Sequence, residues 1–567
     1  MFVLKIAKFL LVFSLFSCLT IQTANGQNLE LRILGNSKYE NAVIDSLVYQ
    51  KEFENLKTLN LEIVSVQKKL QLKGYIENEL ISTKKENDSL YTVKFDLKKQ
   101  FYTIYIYYDK NEVEKSFLDS FLDEVDDSFF KVPINKLENS LNYINDYLIS
   151  KGLPFNSVTL SSLEKRDDKS IKANLVIASN KKRTINSISL KGYEKFPRSF
   201  LKHYAKIKES DVLDLNELQR KSQLINQLPF ANEFRTPEIL FTKDSSSVFL
   251  YLEKEKANVF DGFLGFGTNE DNNKLEFYGY LDLRLFNNLN YGEALNIKYR
   301  SDGNDQRTFN ANLNLPYLLG SPIGIELSLN IFKQDSTFTN TQQVLDVFYQ
   351  INQKQKIIAG ISSRQSNDLT TNLSETIQDY NATFYSIGYH YISERNNDPL
   401  FPINFNFQSK LGFGSRTVNS LKEEQSIFSI YSDKIFNLNK NNSIYLKLVS
   451  EGLISDQYLT NELLRLGGIN SLRGFDENSI YASLYATLNS EYRFRLSSSL
   501  YIYSIIDAAY IENQLIDLED KLYGFGLGFG LVTKSGLLKF NYGVGKTGKE
   551  KIDFSNSKIQ LSLSTSF

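Results

Sequence analysis

Residues 323–331 read Ile-Gly-Ile-Glu-Leu-Ser-Leu-Asn-Ile, with an apolar side chain at nearly every second position. Because successive side chains of a β-strand point to opposite faces, this period indicates a strand with one apolar and one polar face. The same alternation occurs in residues 275–285, 295–300 and 559–567. The sequence from Ala257 onward therefore predicts a large antiparallel sheet.

Alternation alone leaves two folds open, because a soluble sandwich shows the same period with its apolar face turned inward. Three features favour a membrane barrel: segments near the about 9–11 residues of a tilted spanning strand, charged residues on the polar face, and polar connections with Tyr and Phe near strand ends. The stretch 257–567 provides about 19 residues for each of 16 strands, an even number within the known range. We predict a 16-stranded antiparallel transmembrane β-barrel.

The part of the chain before the barrel has a different pattern, in which helical and strand segments alternate. Apolar residues recur at helical spacing in residues 41–49, 56–72, 134–150 and 215–228. Three of these helices end near Gly74, Gly152 and Pro229, at intervals of 78 and 77 residues. This repeat predicts three tandem α+β modules, each a strand, two helices and two strands, with one larger α+β domain as the alternative.

The N-terminus has the order of a secretory signal. Two lysines precede an apolar run at residues 9–19, and small residues at 24–26 precede Gln27. The apolar run is shorter than the about 20 residues of a spanning helix. Lipidation of Cys18, the last residue of a loose lipoprotein cleavage box at residues 15–18, stays an alternative. We place a signal peptide at residues 1–26, modules at 27–99, 100–180 and 181–256, and the barrel at 257–567.

Composition excludes several classes of function. The 65 basic and 66 acidic residues leave a net charge of -1, whereas nucleic-acid binding needs a dominant basic face. Cys18 is the only cysteine, which excludes a disulfide framework and a thiolate zinc cluster. The two histidines, His203 and His390, have no nucleophile and acid at suggestive spacing. The sequence therefore predicts no catalytic residue, no metal site, no cofactor and no nucleic-acid partner.

A glycine-rich segment late in the chain narrows the function. Residues 465–480 read Arg-Leu-Gly-Gly-Ile-Asn-Ser-Leu-Arg-Gly-Phe-Asp-Glu-Asn-Ser-Ile. The glycines at 467, 468 and 474 allow tight backbone excursions, and Arg473 is a cation among them. In a loop that folds back into a barrel this arginine needs carboxylates, because an unpaired buried guanidinium is costly.

Two acidic residues are the candidate partners. If the apolar residues of the next two strands face lipid, Glu491 and Asp507 both point into the lumen. An inward cation between two inward anions would hold the loop through charge-assisted hydrogen bonds. A hairpin turn with an exposed Arg473 is the alternative.

The segments Gly467-Gly468 and Leu472-Arg473-Gly474-Phe475 resemble the characteristic inward loop of the BamA/TamA superfamily of outer-membrane assembly proteins. The three N-terminal repeats resemble the POTRA modules of that superfamily. Three modules and about sixteen strands resemble the TamA branch more than the BamA branch. Two-partner secretion transporters are similar too, but usually have two modules and an N-terminal plugging helix, for which we see no room before Leu29.

The resemblance extends to the acidic residues after the loop. Glu491 is placed like the family's strand-twelve glutamate, and Asp507 like its strand-thirteen aspartate. Ile505 and Ala509 depart from the usual aromatic residue and glycine around that aspartate. The terminal Phe567 is like the closing residue of many outer-membrane strands.

The resemblance implies a bacterial outer-membrane protein with periplasmic modules, which inserts or translocates other proteins without covalent chemistry. The implied partners are unfolded outer-membrane protein clients, outer-membrane lipid, and either a TamB-like inner-membrane protein or accessory lipoproteins. A passive porin or surface-binding barrel with a periplasmic anchoring region is the alternative.

A barrel that inserts proteins must open one seam, because a closed barrel pairs every backbone group. The seam would join the first strand to the last, which ends at Phe567. Gly262, Gly265 and Gly267 weaken the first strand by removing side-chain contacts. An unpaired edge there, or at the edge of a periplasmic module, is a template to which an extended client segment adds.

Overall fold

The structure, a computed structural model, describes residues 28–178, 181–268, 275–301, 306–370, 375–395, 398, 400–533, 536–548 and 551–564. The predicted signal peptide and Phe567 lie outside this set. The chain divides into two compact units: one comprises the residues up to Arg183 with Val212–Leu215, and the other comprises Thr184–Asp211 and Asn216–Phe567. Among the described residues, no helix is both long enough and apolar enough to cross a membrane.

The first module is a four-stranded sheet covered by two helices. Its elements are β1 Leu29–Leu34, α1 Lys38–Asp45, β2 Glu52–Phe53, α2 Leu56–Leu72, β3 Glu79–Lys85 and β4 Leu90–Asp96. The strand order is β2-β1-β4-β3, with β1 and β4 parallel. Asn55 caps the N-terminus of helix α2, because its side chain accepts a hydrogen bond from the Thr58 backbone N–H. This N–H is one of those in the first turn that have no partner within the helix. Its apolar face is buried in the module core, as the helical spacing predicts.

The second module repeats this arrangement. Its elements are β5 Thr103–Tyr107, α3 Lys115–Asp119, β6 Phe129–Pro133, α4 Leu137–Ser150, β7 Ser157–Lys165 and β8 Ser170–Ala178. The strand order is β6-β5-β8-β7, with β5 and β8 parallel. The sequence repeat has a local cause, because Gly74 and Gly152 follow α2 and α4 with φ of 96° and 91°. This left-handed backbone ends a helix and favours glycine.

The third module is the plain βααββ unit. Its elements are β9 Ser187–Gly192, a π-helical turn Phe200–Tyr204, α5 Leu215–Gln223, β10 Ala231–Phe241 and β11 Ser246–Lys254. The sheet order is β10-β11-β9, with β9 and β11 parallel. The first two modules each add one short strand between their helices, β2 and β6. The predicted α+β modules are therefore present, and these two short strands and helix α3 were not predicted.

A single 16-stranded sheet follows the modules, with every neighbouring pair antiparallel. Its first eight strands are β12 Val259–Thr268, β13 Leu275–Phe286, β14 Ala294–Ser301, β15 Arg307–Leu315, β16 Ile323–Gln334, β17 Phe338–Asn352, β18 Gln355–Asp368 and β19 Tyr380–Glu394. The chain continues through β20 Ile403–Val418, β21 Leu421–Asn437, β22 Asn442–Ile454, β23 Leu464–Leu466, β24 Ile480–Ala482, β25 Leu484–Arg495, β26 Leu500–Asn513, β27 Leu518–Thr533, β28 Gly536–Thr547 and β29 Lys558–Ser564. Strands β23 and β24 form a separate hairpin, so the predicted number of sixteen is confirmed.

The two faces of this sheet decide between the two folds left open by the sequence. Apolar side chains on one face are exposed: Ile387 is 60% exposed and Phe413 67%. Charged side chains on the other face are buried, with Glu491 only 6% exposed. A soluble sandwich would bury the apolar face, whereas this arrangement is that of a membrane barrel with a polar interior.

The third module contacts the turns at one end of the barrel. The Tyr193 hydroxyl donates to Asn290 Oδ1 (2.7 Å) and accepts from Asn287 Nδ2 (2.8 Å), both in the β13–β14 turn. In the β17–β18 turn, Gln353 Nε2 donates to the Tyr204 carbonyl (2.6 Å). We call this end of the barrel the module end and the opposite end the far end.

One of the two histidines belongs to the same contact. His203 Nε2 lies 2.7 Å from the carbonyl oxygen of Gly320, in the β15–β16 turn. Its ring stacks on Tyr317, and Phe200 meets the same tyrosine edge-on with 4.9 Å between ring centroids. These contacts give His203 a packing role in joining the third module to the barrel.

Candidate functional site

The predicted inward loop lies on the inner face of the barrel. It comprises residues 455–483, which connect β22 to β25 and enter from the far end; we call it the lumen loop. Two short strands of the loop, β23 and β24, pair with each other. Leu466 of β23, Ala482 of β24 and Leu472 between them are buried in one apolar cluster with Tyr485 of β25. The loop contacts strands from β17 to β29, so the sheet curves around it.

Arg473 lies between the two carboxylates that the sequence pairs with it. Its Nε donates to Asp507 Oδ2 (2.8 Å) and its Nη2 to Asp507 Oδ1 (2.5 Å), a bidentate contact. Its Nη1 donates to Glu491 Oε1, and its backbone N–H donates to Asp507 Oδ2 (3.1 Å). Arg473 is 4% exposed and Asp507 1%. Charge-assisted hydrogen bonds of this fork geometry are both strong and directional.

We call Arg473, Glu491 and Asp507 the tip cluster. Further side chains of the barrel wall contact this cluster and the main chain beside it. Arg493 Nε donates to the second oxygen of Glu491 (2.7 Å), and the Arg493 guanidinium lies 3.8 Å from the centroid of the Tyr445 ring. Asn489 Nδ2 donates to the Ser471 carbonyl (2.8 Å), and Lys447 Nζ to the Asn470 carbonyl (2.6 Å). The barrel wall therefore binds the tip in two ways: its carboxylates pair with the Arg473 guanidinium, and its Asn489 and Lys447 side chains donate to main-chain carbonyls of the loop.

Glycines let the tip approach the barrel wall at backbone distance. Gly474 has φ of 91°, and a Cβ built on it would lie 2.5 Å from the backbone nitrogen of Gly545 in β28. On β27, a Cβ on Gly524 would lie 2.3 Å from the carbonyl oxygen of Arg473. Gly467 and Gly468 also have positive φ, 111° and 100°. A side chain at Gly474 or Gly524 would separate the two main chains.

Strand β27 has four successive inward positions without side chains, a feature that was not predicted from the sequence. Four alternate residues are glycine, at 524, 526, 528 and 530, and they pair with the inward residues of β26. A Cβ on Gly530 would lie 2.2 Å from the Tyr501 ring, and one on Gly528 would lie 2.5 Å from the Tyr503 ring. The tyrosines occupy the space that side chains of β27 would take. The signal in the sequence is the alternation Gly-x-Gly-x-Gly-x-Gly.

A second buried ion-pair group holds the beginning of the lumen loop. Arg416 of β20 donates to Glu462 of the loop and to Glu423 of β21. Gln425 Nε2 donates to the other oxygen of Glu462 (3.1 Å), and the Leu459 backbone N–H donates to Glu462 Oε1 (2.9 Å). We call Arg416, Glu423 and Glu462 the root cluster; sequence reasoning did not find it.

An asparagine beside the root cluster ties the loop to more distant strands. Asn461 Nδ2 donates to Ser366 Oγ of β18 (2.7 Å) and to the Gln378 carbonyl (2.8 Å). Its own carbonyl accepts from Asn340 Nδ2 of β17 (2.6 Å). The root is therefore held by β17, β18, β20 and β21, whereas the tip is held by β22 and by β25 to β28.

The tip also reaches the last strand of the sheet. Lys558 Nζ of β29 lies 3.0 Å from the Asp476 carboxylate, and Gln560 Nε2 donates to the Phe475 carbonyl (3.1 Å). The Phe475 ring lies against Gly545, where a Cβ would be 2.6 Å from the ring edge. The position of the tip is thus linked to β29.

The predicted seam residues lie at the two ends of the sheet order. Gly262, Gly265 and Gly267 are in β12, which pairs with β13, and β29 pairs with β28. No ladder joins β12 to β29 over the residues that the structure describes. Phe567 lies outside that set, so its place at the seam stays a prediction.

Comparison with known proteins supports the fold. No protein-family model and no curated protein matches the sequence. BamA from Haemophilus ducreyi lacking POTRA domains 1-3 matches with a TM-score of 0.51 and 13% identity, over 80% of this chain and 97% of that one. CdiB from Escherichia coli matches with a TM-score of 0.50 and 14% identity, over 89% of this chain and 97% of that one.

This chain shares the fold of BamA and CdiB. The likeness confirms a 16-stranded antiparallel barrel preceded by POTRA-like modules. Neither of these two structures is of the TamA branch, so the preference for that branch stays a prediction.

Proposed function

We propose that this chain is an outer-membrane protein of the BamA/TamA superfamily that inserts or translocates other proteins. The observation that carries the proposal is the tip cluster, in which the Arg-Gly-Phe segment of an inward loop is held by Glu491 and Asp507 inside a 16-stranded barrel. The exposed apolar outer face supports a place in the membrane. The module end then faces the periplasm.

The modules offer edges to which extended client segments could add. Strand β3 is at the edge of its sheet, and all seven of its residues are exposed. Strand β7 is the corresponding edge of the second module. Unpaired backbone groups of an edge strand bind an extended peptide through main-chain hydrogen bonds, largely without regard to its sequence. Such binding suits unfolded clients of many sequences.

The barrel offers a second edge at the seam between β12 and β29. In the proposed mechanism a client strand pairs with one of these strands and the barrel carries it into the lipid phase without covalent chemistry. Because the tip contacts β29 through Lys558 and Gln560, the lumen loop holds one side of that seam in place. A TamB-like inner-membrane protein or accessory lipoproteins are candidate partners of the modules.

Reconstitution of the full chain tests this function. We expect liposomes containing the native protein to insert a urea-unfolded barrel client, measured by protection of the client from protease. Arg473→Ala should lower the inserted fraction strongly, because the tip loses its cation. Asp456→Ala, an exposed position in the same loop, is the matched control and should insert as the native protein does. Equal insertion by empty liposomes and by native liposomes would contradict the proposal.

A passive porin or surface-binding barrel is the second candidate, and the polar interior is the observation that favours it. The lumen loop argues against an open pore because it lies across the interior from β17 to β29. Ion conductance that is unchanged after removal of residues 27–256, with no loss of other barrels from the outer membrane, would support this candidate instead. A broad loss of barrel proteins on depletion would support the assembly function.

A further inference from the structure

A polar cavity lies inside the barrel beside the root of the lumen loop. Its volume is about 360 Å³, and it is bounded by β15 to β19, by Glu451 of β22, and by loop residues 462–465 and 478. Arg364 reaches it from β18 and Arg465 from β23. It lies toward the far end, because Arg364 is paired with Gln342, well away from the β17–β18 turn that contacts the third module.

The two arginines of this cavity differ from the other arginines of the lumen loop and its wall. Arg416 and Arg473 each donate to two carboxylates. Over the described part of the chain, neither Arg364 nor Arg465 is within ion-pair distance of a carboxylate. The Nε of Arg364 is buried without a hydrogen-bond partner, and Arg465 lies on the Phe332 ring, 3.7 Å from its centroid.

Two carboxylates line the cavity, and over the described residues neither is within ion-pair distance of Arg364 or Arg465. Glu462 accepts from Arg416, Gln425 and the Leu459 backbone as part of the root cluster. Glu451 of β22 is the cross-strand partner of Tyr485 and interacts electrostatically with Arg364 without forming an ion pair. The inward-facing lining also supplies neutral hydroxyl and amide groups, from Thr308, Asn330 and Gln342. The cavity therefore combines two guanidinium groups and several neutral donors with few free acceptors.

We propose that this cavity binds an oxyanion of the phosphate class between Arg364 and Arg465. Guanidinium groups present paired N–H donors that match the oxygens of phosphate, and a buried guanidinium without an acceptor is costly. Because Arg364 belongs to the wall and Arg465 to the hairpin of the lumen loop, a bound oxyanion links the loop to β18. The loop would then be attached to the barrel wall at three places: the tip cluster, the root cluster and this site. Only the third attachment would require a bound anion.

The phosphate has two sources at the far end: free phosphate, or the phosphorylated headgroup of a membrane glycolipid. Their shared chemistry is the phosphoryl oxygens, and the volume of the cavity holds one such group with a few waters. The inference does not depend on the proposed function, since the cavity and its arginines are features of the barrel alone. Its failure would leave the insertion assay unchanged.

Isothermal titration calorimetry on the full chain in detergent tests the site. We expect saturable binding of inorganic phosphate at constant ionic strength, and at least about tenfold weaker binding by Arg364→Gln and by Arg465→Gln, as the loss of a charge-assisted contact predicts. Arg364→Lys should bind with intermediate affinity, because it keeps the charge and loses the fork. Lys422→Gln, an exposed position outside the cavity, is the matched control and should bind as the native protein does.

A second arm distinguishes the sources. The protein is titrated with a phosphorylated glycolipid in mixed micelles and, separately, with the same glycolipid after dephosphorylation. The headgroup is the ligand if only the phosphorylated form binds and if Arg364→Gln abolishes this binding. Heat-modifiable migration in gel electrophoresis checks that each variant is a folded barrel. Absence of saturable binding by either probe, or binding that Arg364→Gln and Arg465→Gln leave unchanged, would overturn the site.

Discussion

The tip and the root of the lumen loop are held in two different ways. At the tip, Arg473 belongs to the loop, and the carboxylates of Glu491 and Asp507 belong to strands that follow it within 34 residues. At the root the polarity is reversed, because the loop supplies the anion, Glu462, and the cation, Arg416, belongs to the wall. Both clusters bury an ion pair between the loop and the barrel wall. The loop supplies the cation at the tip and the anion at the root.

The packing around the two clusters differs as well. The tip lies on backbone, since Gly524 and Gly545 let its main chain touch β27 and β28. The root lies on side chains, with Asn461 bonded to Ser366 and Asn340. A contact between main chains tolerates no added atom, whereas side chains can adjust their rotamers. We therefore expect the tip to be the more sensitive anchor.

The largest effect is expected from Asp507→Ala. The substitution removes three of the four hydrogen bonds that Arg473 makes in the tip cluster and leaves its charge buried. Breaking a buried ion pair on one side costs about 3–5 kcal/mol. Urea unfolding of the detergent-solubilised chain, followed by circular dichroism, measures the change. Asp456→Ala, exposed in the same loop, should change the free energy of unfolding by less than about 0.5 kcal/mol.

A double-mutant cycle sharpens this prediction. Removal of both charges in Arg473→Ala with Asp507→Ala leaves no unpaired guanidinium at the tip, so the loss should be smaller than the sum of the two single losses by about 1–3 kcal/mol. A strictly additive loss would mean that the two residues do not couple in the barrel.

The second effect is expected from Arg416→Ala at the root. It leaves Glu462 and Glu423 without their cation, and we expect a loss of about 3 kcal/mol. If the two anchors are independent, labelling of a cysteine introduced at the buried root position Leu463 should accelerate, while labelling of one at the buried tip position Leu472 stays slow. The chain has only one native cysteine, Cys18. Equal acceleration at both positions would show that the loop is released as a single unit.

The third effect tests the glycine-lined wall. Gly524→Val introduces side-chain atoms where a Cβ alone would lie 2.3 Å from the Arg473 carbonyl, and overpacking of this kind costs about 1–3 kcal/mol. Cysteine labelling at Leu472 should accelerate and labelling at Leu463 should not, the reverse of the result for Arg416→Ala. Leu527→Val, which faces outward on the same strand and is 67% exposed, is the control.

The sequence was sufficient for the fold because the signals of the barrel are local. A period of two predicts a strand and also predicts which residues share a face, so the strand pattern alone assigns Glu491 and Asp507 to the lumen. The helical spacing in α2 likewise predicted its buried face. The short strands β2 and β6 were missed because two to five residues are too few for a period to show.

The root cluster could not be predicted in the same way. Glu462 lies in a three-residue 3-10 turn, Thr460–Glu462, which is too short to show a period in the sequence. Its cation is 46 residues earlier in the chain, so the curvature of the sheet brings them together. The alternate glycines of β27 are visible in the sequence, and they indicate a strand with one bare face. What covers that face, Tyr501, Tyr503 and the tip of the loop, depends on the neighbouring strand and on the path of the loop.

The smallest effect is expected where the tip meets the last strand. Lys558 and Asp476 are 39% and 69% exposed at their side chains, and an exposed ion pair contributes only about 0–1 kcal/mol and weakens with salt. Lys558→Gln should therefore leave the free energy of unfolding nearly unchanged. Its consequence should be local: faster hydrogen exchange of the β29 amides, measured by mass spectrometry, because the strand loses one of its two contacts with the tip. Lys551→Gln, an exposed position just before β29, should leave that exchange as it is in the native protein. If Lys558→Gln also leaves it unchanged while Asp507→Ala accelerates it, the tip acts on the last strand through the Phe475 backbone and Gln560, and the ion pair contributes nothing to the seam.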